Sequence, residues 1–514
     1  MGILDAPVRQ QAAASLAGKV NKGDEVFSVK PTGGDDVPTI RAGLLQAAGS
    51  FGQGGTLLLT PGNYNINTFS TFATTGDSTF SNYAFWVPSN VTIVAQTGAS
   101  LHENIDYNSR RVMFYLEGSN ITIDGLTFSN DYDMAGGSRP TSIPIAAGDA
   151  FNPASTTNVK NIRISNCTFL RSWYPTKFQF SKAGGTATAE NIAITNCTVR
   201  AEPTSTSSGG FNFRAENNAG RIKNAKVSGC QVYDVTVSAG IGYYGVQDGV
   251  ITGNILRGSQ IDGAGIQLEN GADNIAITGN SLIDHFNHIW VDDSTNATIS
   301  ANTMRNTTVS ASFKGVRITK QGYTEDPNKL TTDIVVAHNT LRNCFVVAEA
   351  FGTPTGTPTF GSFTIADNII RLDGATNNYG INLAGSIACS ITGNRIVGAL
   401  TSSIQLSPIT NQYIVVEGNI TTKAASESSV GFTLANTNAF RPILANNQFT
   451  NGISIGQAVS MMVGNVRIYT FTGTPEAAVS GPNGSLFLRD GGGAATTLYV
   501  KESAGTSSTG WVGK

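Results

Sequence analysis

The chain has 514 residues, of which 13% are charged, with 58 glycines and a formal net charge of −2. Abundant glycine with few charges favours strands and turns over long solvated helices. The near-neutral balance argues against a nucleic-acid partner, which favours a basic stripe. No apolar run reaches the roughly 20 residues of a helical span, so membrane insertion is not expected.

Residues 1–25, with "RQQAAASLAGKV", predict a short helix or linker without a core, and no signal peptide is read at the start. At 34–66, "GDDVPTIRAGLLQAAGSFGQGGTLLLTPGNYNI" predicts a capped helix and then two strands around a Pro-Gly turn. Asp35 or Asp36 is the cap, and Ile40, Leu44, Leu45 and Ala48 are the apolar positions. A helix there shields the strand edge of a first coil. The stretch resembles the opening of the pectate-lyase superfamily of right-handed parallel β-helices. That resemblance implies a right-handed coil and a carbohydrate-facing groove.

One phrase then recurs, as "NITIDGLTF" at 120, "NIRISNCTF" at 161, "NAKVSGCQV" at 224, "NATISANTM" at 296 and "SFTIADNII" at 362. Its template is apolar–x–apolar–x–small–Asn/Cys–x–apolar. Period two means a strand with one buried face, and the small residue before Asn or Cys marks a tight bend. The bend residues are Cys167, Cys197, Cys230, Asn254, Asn280, Asn302, Asn339, Asn368, Asn394, Asn419 and Asn447. Most steps are about 22 to 33 residues, a solenoid period. In a solenoid each coil buries its inner face against its neighbours, which reconciles so long a chain with no internal linker. The cysteine column predicts stacked buried thiols, although a spacing of roughly 4.8 Å does not exclude a disulfide. In the asparagine column the amide bonds the next rung and the backbone takes a left-handed bend.

A further strand precedes each template: "KFQFSK" at 177, "GFNFR" at 210, "GIGYY" at 240, "GIQLE" at 265, "HIWVDD" at 288 and "GVRITK" at 315. Alternation turns Ile266, Leu268, Ile289, Val291, Val316 and Ile318 inward. One outward column is then Gln179, Asn212, Gly242, Gln267, Trp290 and Arg317, and its neighbour is Arg214, Tyr244, Glu269, Asp292 and Thr319. The outward residues of the template strand, such as Ala193, Thr195, Ala276 and Thr278, are small and suit a subunit interface, which leaves the other strand to face sugar.

Glu269 and Asp292 hold equivalent columns on neighbouring coils, with backbones expected about 5 Å apart. Repulsion at that range raises one pKa and leaves an acid beside a carboxylate, the pairing that glycoside hydrolysis uses. Glu269 is the expected acid, and Asp292 or Asp293 the expected base. Trp290 presents a ring to a sugar face, Arg317 and Lys320 hold an acidic sugar, and Gln267, Tyr244 and Arg214 line the groove. The loops 131–157 and 320–332 offer Asp131, Asp133, Asp149 and Glu325 as further acids. His285 and His288 precede a strand, where their spacing does not read as a metal pair, and no metal or cofactor is expected. "GVRITK" is similar to the "GVRIKT" of polygalacturonase-type hydrolases. That similarity implies paired aspartates at Asp292 and Asp293 and a substrate-binding Arg317. The family's "NTD" and "GHG" are absent here.

From about 466 the template stops, and "SLFLR", "TTLYVKE" and "GWVGK" predict short strands that need association for stability. This ending, "GSLFLRDGGGAATTLYVKESAGTSSTGWVGK", resembles the C-terminal segment of many bacteriophage tail proteins. It implies a virion component and a homotrimer. The expected fold is all-β: a right-handed single-stranded parallel β-helix with an N-terminal capping helix and a small C-terminal β domain. The expected segments are an N-terminal linker or particle-proximal piece over 1–25, a β-helix over 26–465 and a trimerisation segment over 466–514. The expected function is that of a phage tailspike that depolymerises bacterial surface polysaccharide (capsule or O-antigen) by endo-glycosidic hydrolysis. Its expected partners are that polysaccharide, two further copies and a phage tail or baseplate protein met through the N-terminus; its expected place is the virion tail. Two alternatives stay open: a lyase acting on a uronate through Arg317, Lys320, Arg214, Tyr244 and Tyr243, and a non-catalytic glycan-adhesion fibre.

Overall fold

Apolar residues at every second position fold the repeats into coils of three strands, one in each of three parallel sheets. The computed structural model describes residues 25–49, 54–72, 82–103, 111–130, 142–152, 155–172, 174–180, 185–201, 209–215, 221–235, 238–258, 263–310, 312–321, 331–351, 360–373, 379–384, 388–399, 401–407, 413–422, 430–434, 443–449, 453–455, 459–463, 466–471, 475, 483–489, 498–503 and 509–514. Two compact units divide the chain, Met1–Phe286 and Asn287–Lys514.

In the first unit a coil runs through Ile222–Ser228 on a first wall, Gln231–Val235 on a second and Ile241–Tyr244 on a third. The next coil repeats the order with Val246–Thr252, Ile255–Gly258 and Ala264–Glu269, each strand parallel to its predecessor. The second unit does the same with Thr295–Ser300, Thr303–Arg305 and Lys314–Gln321, followed by Ile334–Ala337, Thr340–Arg342 and Phe345–Phe351. The fold is a right-handed parallel β-helix. Its second wall is the short strand that begins after the template's bend, so the template holds two strands and not one.

The expected parity holds: Ile266, Leu268, Ile289, Val291, Val316 and Ile318 have no exposed surface. Each such side chain contributes about 1.5–3 kcal/mol by leaving water. Aromatic residues stack between coils as well, Phe128 on Phe169 at 5.0 Å and Phe178 on Phe213 at 5.2 Å between ring centroids. At the bends the Asn254 backbone and amide nitrogens both donate to Asn280 Oδ1, at 3.0 and 2.9 Å. In the second unit the same double donation runs from Asn302 to Asn339, from Asn339 to Asn368, and onward to Asn447. The left-handed residue, however, is the one before the ladder asparagine, as at Gly253 (φ 64°), Gly279 (φ 64°) and Gly393 (φ 63°). A second ladder does combine both roles. Asn90, Asn120, Asn161, Asn191 and Asn224 all have φ between 54° and 63° and bond amide to amide at 2.8–3.1 Å. All five cysteines are buried and unbridged, and burial pushes the Cys197 thiol well above its usual range.

The helix spans Val37–Ala48 and buries Val37, Ile40, Gly43, Leu44 and Ala47; Leu45, expected on that face, is 74% exposed. The two acids divide the expected cap between them. Asp35 Oδ1 accepts from the Val37 backbone at 3.2 Å. Asp36 is fully buried and ties Thr32 to Asn65, accepting from their backbone nitrogens at 2.6 and 2.8 Å. At the other end of the chain, Val459–Val463, Val466–Phe471, Leu486–Arg489, Leu498–Lys501 and Trp511–Gly513 make a separate mixed sheet, with Phe487, Tyr499 and Trp511 as its core.

Glu103 is an inward carboxyl in the strand Ala99–Glu103, between Ile66 and Asn130 in register. Burial raises its pKa to about 7, against the lowering effects of Ser142, Arg111 and His102. The folded state therefore holds a proton that the unfolded chain releases near its ordinary value of 4.5. Stability from this group is full below that value, falls as pH rises towards 7, and stays low above it. Glu103→Gln is expected to remove the pH slope and to stabilise the protein at pH 8 by on the order of 3 kcal/mol. Thermal melts of both proteins from pH 4 to 8 check this, and parallel curves refute it.

Candidate active site

Each unit carries a hydrogen-bonded cluster of side chains on the outer face of its third-wall strands. In the first unit, register sets Arg214 beside Tyr244 and Tyr244 beside Glu269, with Asn212, Gly242 and Gln267 in the adjoining column. The Arg214 guanidinium lies 5.5 Å from the Tyr244 ring centre. Tyr244 Oη donates to Gln267 Oε1 at 3.1 Å, and Gln267 Nε2 donates to Glu269 Oε2 at 2.9 Å. Gly242 makes this possible, because a Cβ there would stand 2.5 Å from the Tyr244 ring. Burial first, then the charges of Tyr174 and Glu269, push the Tyr244 phenol above its ordinary range. Arg214, Gln267 and Glu269 are half-buried.

Gln179 is displaced from its expected column. It lies beside Arg214, while Lys177 lies beside Asn212. Stacking of Phe178 on Phe213 sets that register, a slip of two residues that keeps parity and changes the column. Tyr243 faces the interior, its Oη donating to the Ala225 carbonyl at 3.0 Å, and is therefore not a groove residue.

In the second unit, Trp290 is in register with Arg317, and Asp292 with Thr319. Thr319 Oγ1 accepts from Trp290 Nε1 at 2.6 Å and donates to Asp292 Oδ1 at 2.8 Å. Arg317 lies 5.0 Å from the Trp290 ring centre, and its Nε donates to Glu349 Oε1 at 2.8 Å. Asp292 and Thr319 have no exposed surface, and Trp290 is half-buried. Asp293 occupies the turn after the strand at φ 43° and is buried. Lys320 is half-buried and follows Thr319, so alternation separates it from Arg317. Glu349, which sequence reasoning missed, has a third of its side chain exposed. Its strand "FVVAEAF" is apolar at six of seven positions and so shows no clear alternation, although register puts Glu349 in Thr319's column.

Of the loop acids, Asp149 is a buried partner of Arg221, and Asp131, Asp133 and Glu325 lie outside the described residues. His288 is enclosed, with its two ring nitrogens each 3.1 Å from a backbone carbonyl, those of Lys314 and Arg305. The template residues Ala193, Thr195, Ala276 and Thr278 lie partly open on the first wall.

Thr319→Val keeps the shape of the side chain and removes the hydroxyl that joins Trp290 to Asp292. A loss of about 1–3 kcal/mol in stability is expected, with a shift in Trp290 fluorescence measured against Trp290→Phe. Unchanged melting and emission would contradict the hydrogen-bond chain.

A family profile described as "Periplasmic copper-binding protein (NosD)" matches residues 149–325 and 247–465. No curated protein matches the sequence. Among solved structures, the A-module of the Azotobacter vinelandii mannuronan C-5 epimerase AlgE6 is similar at 16% identity and TM-score 0.52, over 82% of this chain and 96% of that one. Tailspike protein 3 of bacteriophage CBA120 is similar at 12% identity and TM-score 0.52, over 97% and 75%. A tailspike of the E. coli bacteriophage HK620, solved with a pentasaccharide, is similar at 10% identity and TM-score 0.53, over 94% and 89%. These are likenesses of fold.

Proposed function

The chain belongs to the family described as periplasmic copper-binding protein (NosD), and within that β-helical family we propose that it binds and cleaves a bacterial surface polysaccharide. The observation that carries this reading is the second unit's third wall, where an aromatic ring, a guanidinium and carboxylates adjoin on one face. Such a face recognises sugar through ring stacking and hydroxyls through charge-assisted hydrogen bonds. Fold likeness to two tailspikes and to a polysaccharide epimerase supports the same reading.

The reaction we favour is endo-glycosidic hydrolysis. Glu269 protonates the leaving oxygen, and Asp292 or Asp293 supplies the basic carboxylate. Glu349 is a rival for that second role, because it is more open to a substrate than either aspartate. Trp290 stacks on a sugar ring, while Arg317, Gln267, Tyr244 and Arg214 hold its substituents; Lys320, of opposite parity to Arg317, reaches a substrate only past the strand's edge. The same reading makes the chain a homotrimeric phage tailspike, joined to the tail through its N-terminus and acting at the bacterial surface. The tail-protein-like ending supports this part; the first wall does not, since register sets the exposed Arg163 and Lys226 on either side of Ala193. A lyase is less favoured, since burial raises the Tyr244 phenol and disfavours it as a base.

The described residues offer copper no suitable donor set. Among the described residues no three His, Cys, Asp or Glu side chains gather as a metal site. The stacked thiols instead point at backbone carbonyls, as Cys167 does at Ser165 and Cys197 at Thr195.

The test is release of oligosaccharides from capsule and lipopolysaccharide of a bacterial panel. Glu269→Gln is expected to lower cleavage about 10²–10⁴-fold while leaving retention on the glycan intact. Asp292→Asn, Asp293→Asn and Glu349→Gln then separate the three candidate bases. Products with a new ultraviolet-absorbing double bond would establish a lyase. Retention without cleavage of any glycan in the wild type would leave only adhesion.

A further inference from the structure

The second wall of the second unit carries a column of arginines that the third-wall chemistry does not use. Strands Thr303–Arg305, Thr340–Arg342 and Ile369–Arg371 stack so that Arg305 lies beside Arg342 and Arg342 beside Arg371. Their central residues Met304, Leu341 and Ile370 are buried, so the three arginines face outward, and all are exposed. Backbone spacing along the column is about 4.8 Å. Arg395, exposed on the following coil, extends the basic surface beside Arg371's strand. Only Arg342 has an acid, Asp373 at 2.6 Å; among the described residues Arg305, Arg371 and Arg395 form no ion pair.

Like charges directly opposite one another on adjacent strands destabilise a sheet. Three in a row therefore weaken the free protein, and a ligand with negative charge at each step removes that penalty. The chain as a whole has a net charge of −2, so the column is a local arrangement and not an overflow of general basicity.

We infer that this wall holds a linear anionic polysaccharide lying along the coil axis. Its carboxylate, sulfate or phosphate groups meet successive guanidinium forks, whose geometry suits two parallel hydrogen bonds to each anion. A coil step is close to the length of one sugar residue, so a polymer charged at every sugar or every second one keeps pace with the column. A second copy of this chain is a poorer occupant, because among the described residues neither unit stacks three acids in one column. The stripe lies on a different wall from Trp290 and Glu349. It is a holding surface, and it stands or falls separately from cleavage.

The test compares the full-length protein with Arg305→Ser/Arg371→Ser, which leaves Arg342 and Asp373 in place. The control is Lys223→Ser/Lys226→Ser, two exposed lysines on the first wall of the first unit whose loss changes net charge equally. Polygalacturonate, heparin, neutral dextran and single-stranded DNA serve as probes at low and physiological salt. The wild type should bind a charged glycan and not dextran, and preference for polygalacturonate or heparin tells carboxylate from sulfate. The arginine variant should weaken binding by roughly a hundredfold and the lysine control by no more than about twofold. Melting temperature confirms that both variants fold. Arg371→Lys, which keeps the charge and loses the fork, should weaken binding by about threefold. Failure to bind either charged glycan, an equal loss in the control or tighter binding of DNA would each overturn the proposal. So would a change in particle mass in the arginine variant, which would make the stripe a contact between copies.

Discussion

Parallel, in-register pairing of one coil on the next is the constraint from which the other features follow. Each strand satisfies its backbone through the strands before and after it, as where Ile241–Tyr244 pairs with Ala264–Glu269. Register fixed in this way puts like positions in columns, and a column is favourable or costly according to what fills it. Isoleucine on isoleucine, as where Ile164 meets Ile194, packs the core. Asparagine on asparagine passes one amide bond to the next and satisfies bend nitrogens that no strand reaches. A free end would expose an unpaired edge, which the helix Val37–Ala48 packs against in the first unit.

The same rule makes charged columns expensive, and the outer walls answer it differently. On the third wall charges alternate with groups that accept or screen them. Arg214 meets an aromatic face, Tyr244 a glutamine, and Arg317 meets both Trp290 and Glu349. Partly buried side chains linked by hydrogen bonds hold fixed rotamers, as a site for an oriented sugar requires. The second wall of the second unit leaves its guanidinium groups in water, where long side chains adapt to a polymer of variable sequence. One wall is organised for geometry and the other for charge.

Much of this arrangement was legible in the sequence because a two-residue period admits only two faces. The inward isoleucines and valines followed from alternation alone, and the asparagine column followed from its spacing. Alternation does not specify which residues of adjacent coils lie side by side. A slip of two residues preserves every face, so "KFQF" was set against "GFNF" by its first phenylalanine when the fold stacks Phe178 on Phe213. The left-handed position was misplaced by one residue for a related reason: glycine and asparagine both signal a bend, and only backbone angles show which of them takes the strain. Glu349 was not legible because "FVVAEAF" is apolar on both sides of the acid and shows no alternation, although its column is the one that holds Thr319. Burial of Asp292 was illegible, since outward parity says nothing of what covers the outer face.

That burial bears directly on how the wall works. A carboxylate removed from water is costly unless it is well hydrogen-bonded, and Asp292 receives the Thr319 hydroxyl at 2.8 Å. The hydroxyl has one proton, and giving it to Asp292 leaves its lone pairs directed at the Trp290 indole nitrogen, 2.6 Å away. Reversal of this direction is blocked because the indole is a donor only. Asp292 thereby orients Thr319, and Thr319 fixes the tilt of the ring that carries Arg317 over its face. A lysine at position 319 would present donors to both neighbours and leave the indole without an acceptor. The threonine is therefore the residue through which the buried acid and the half-buried ring act together, and the face offered to a sugar is set from beneath it.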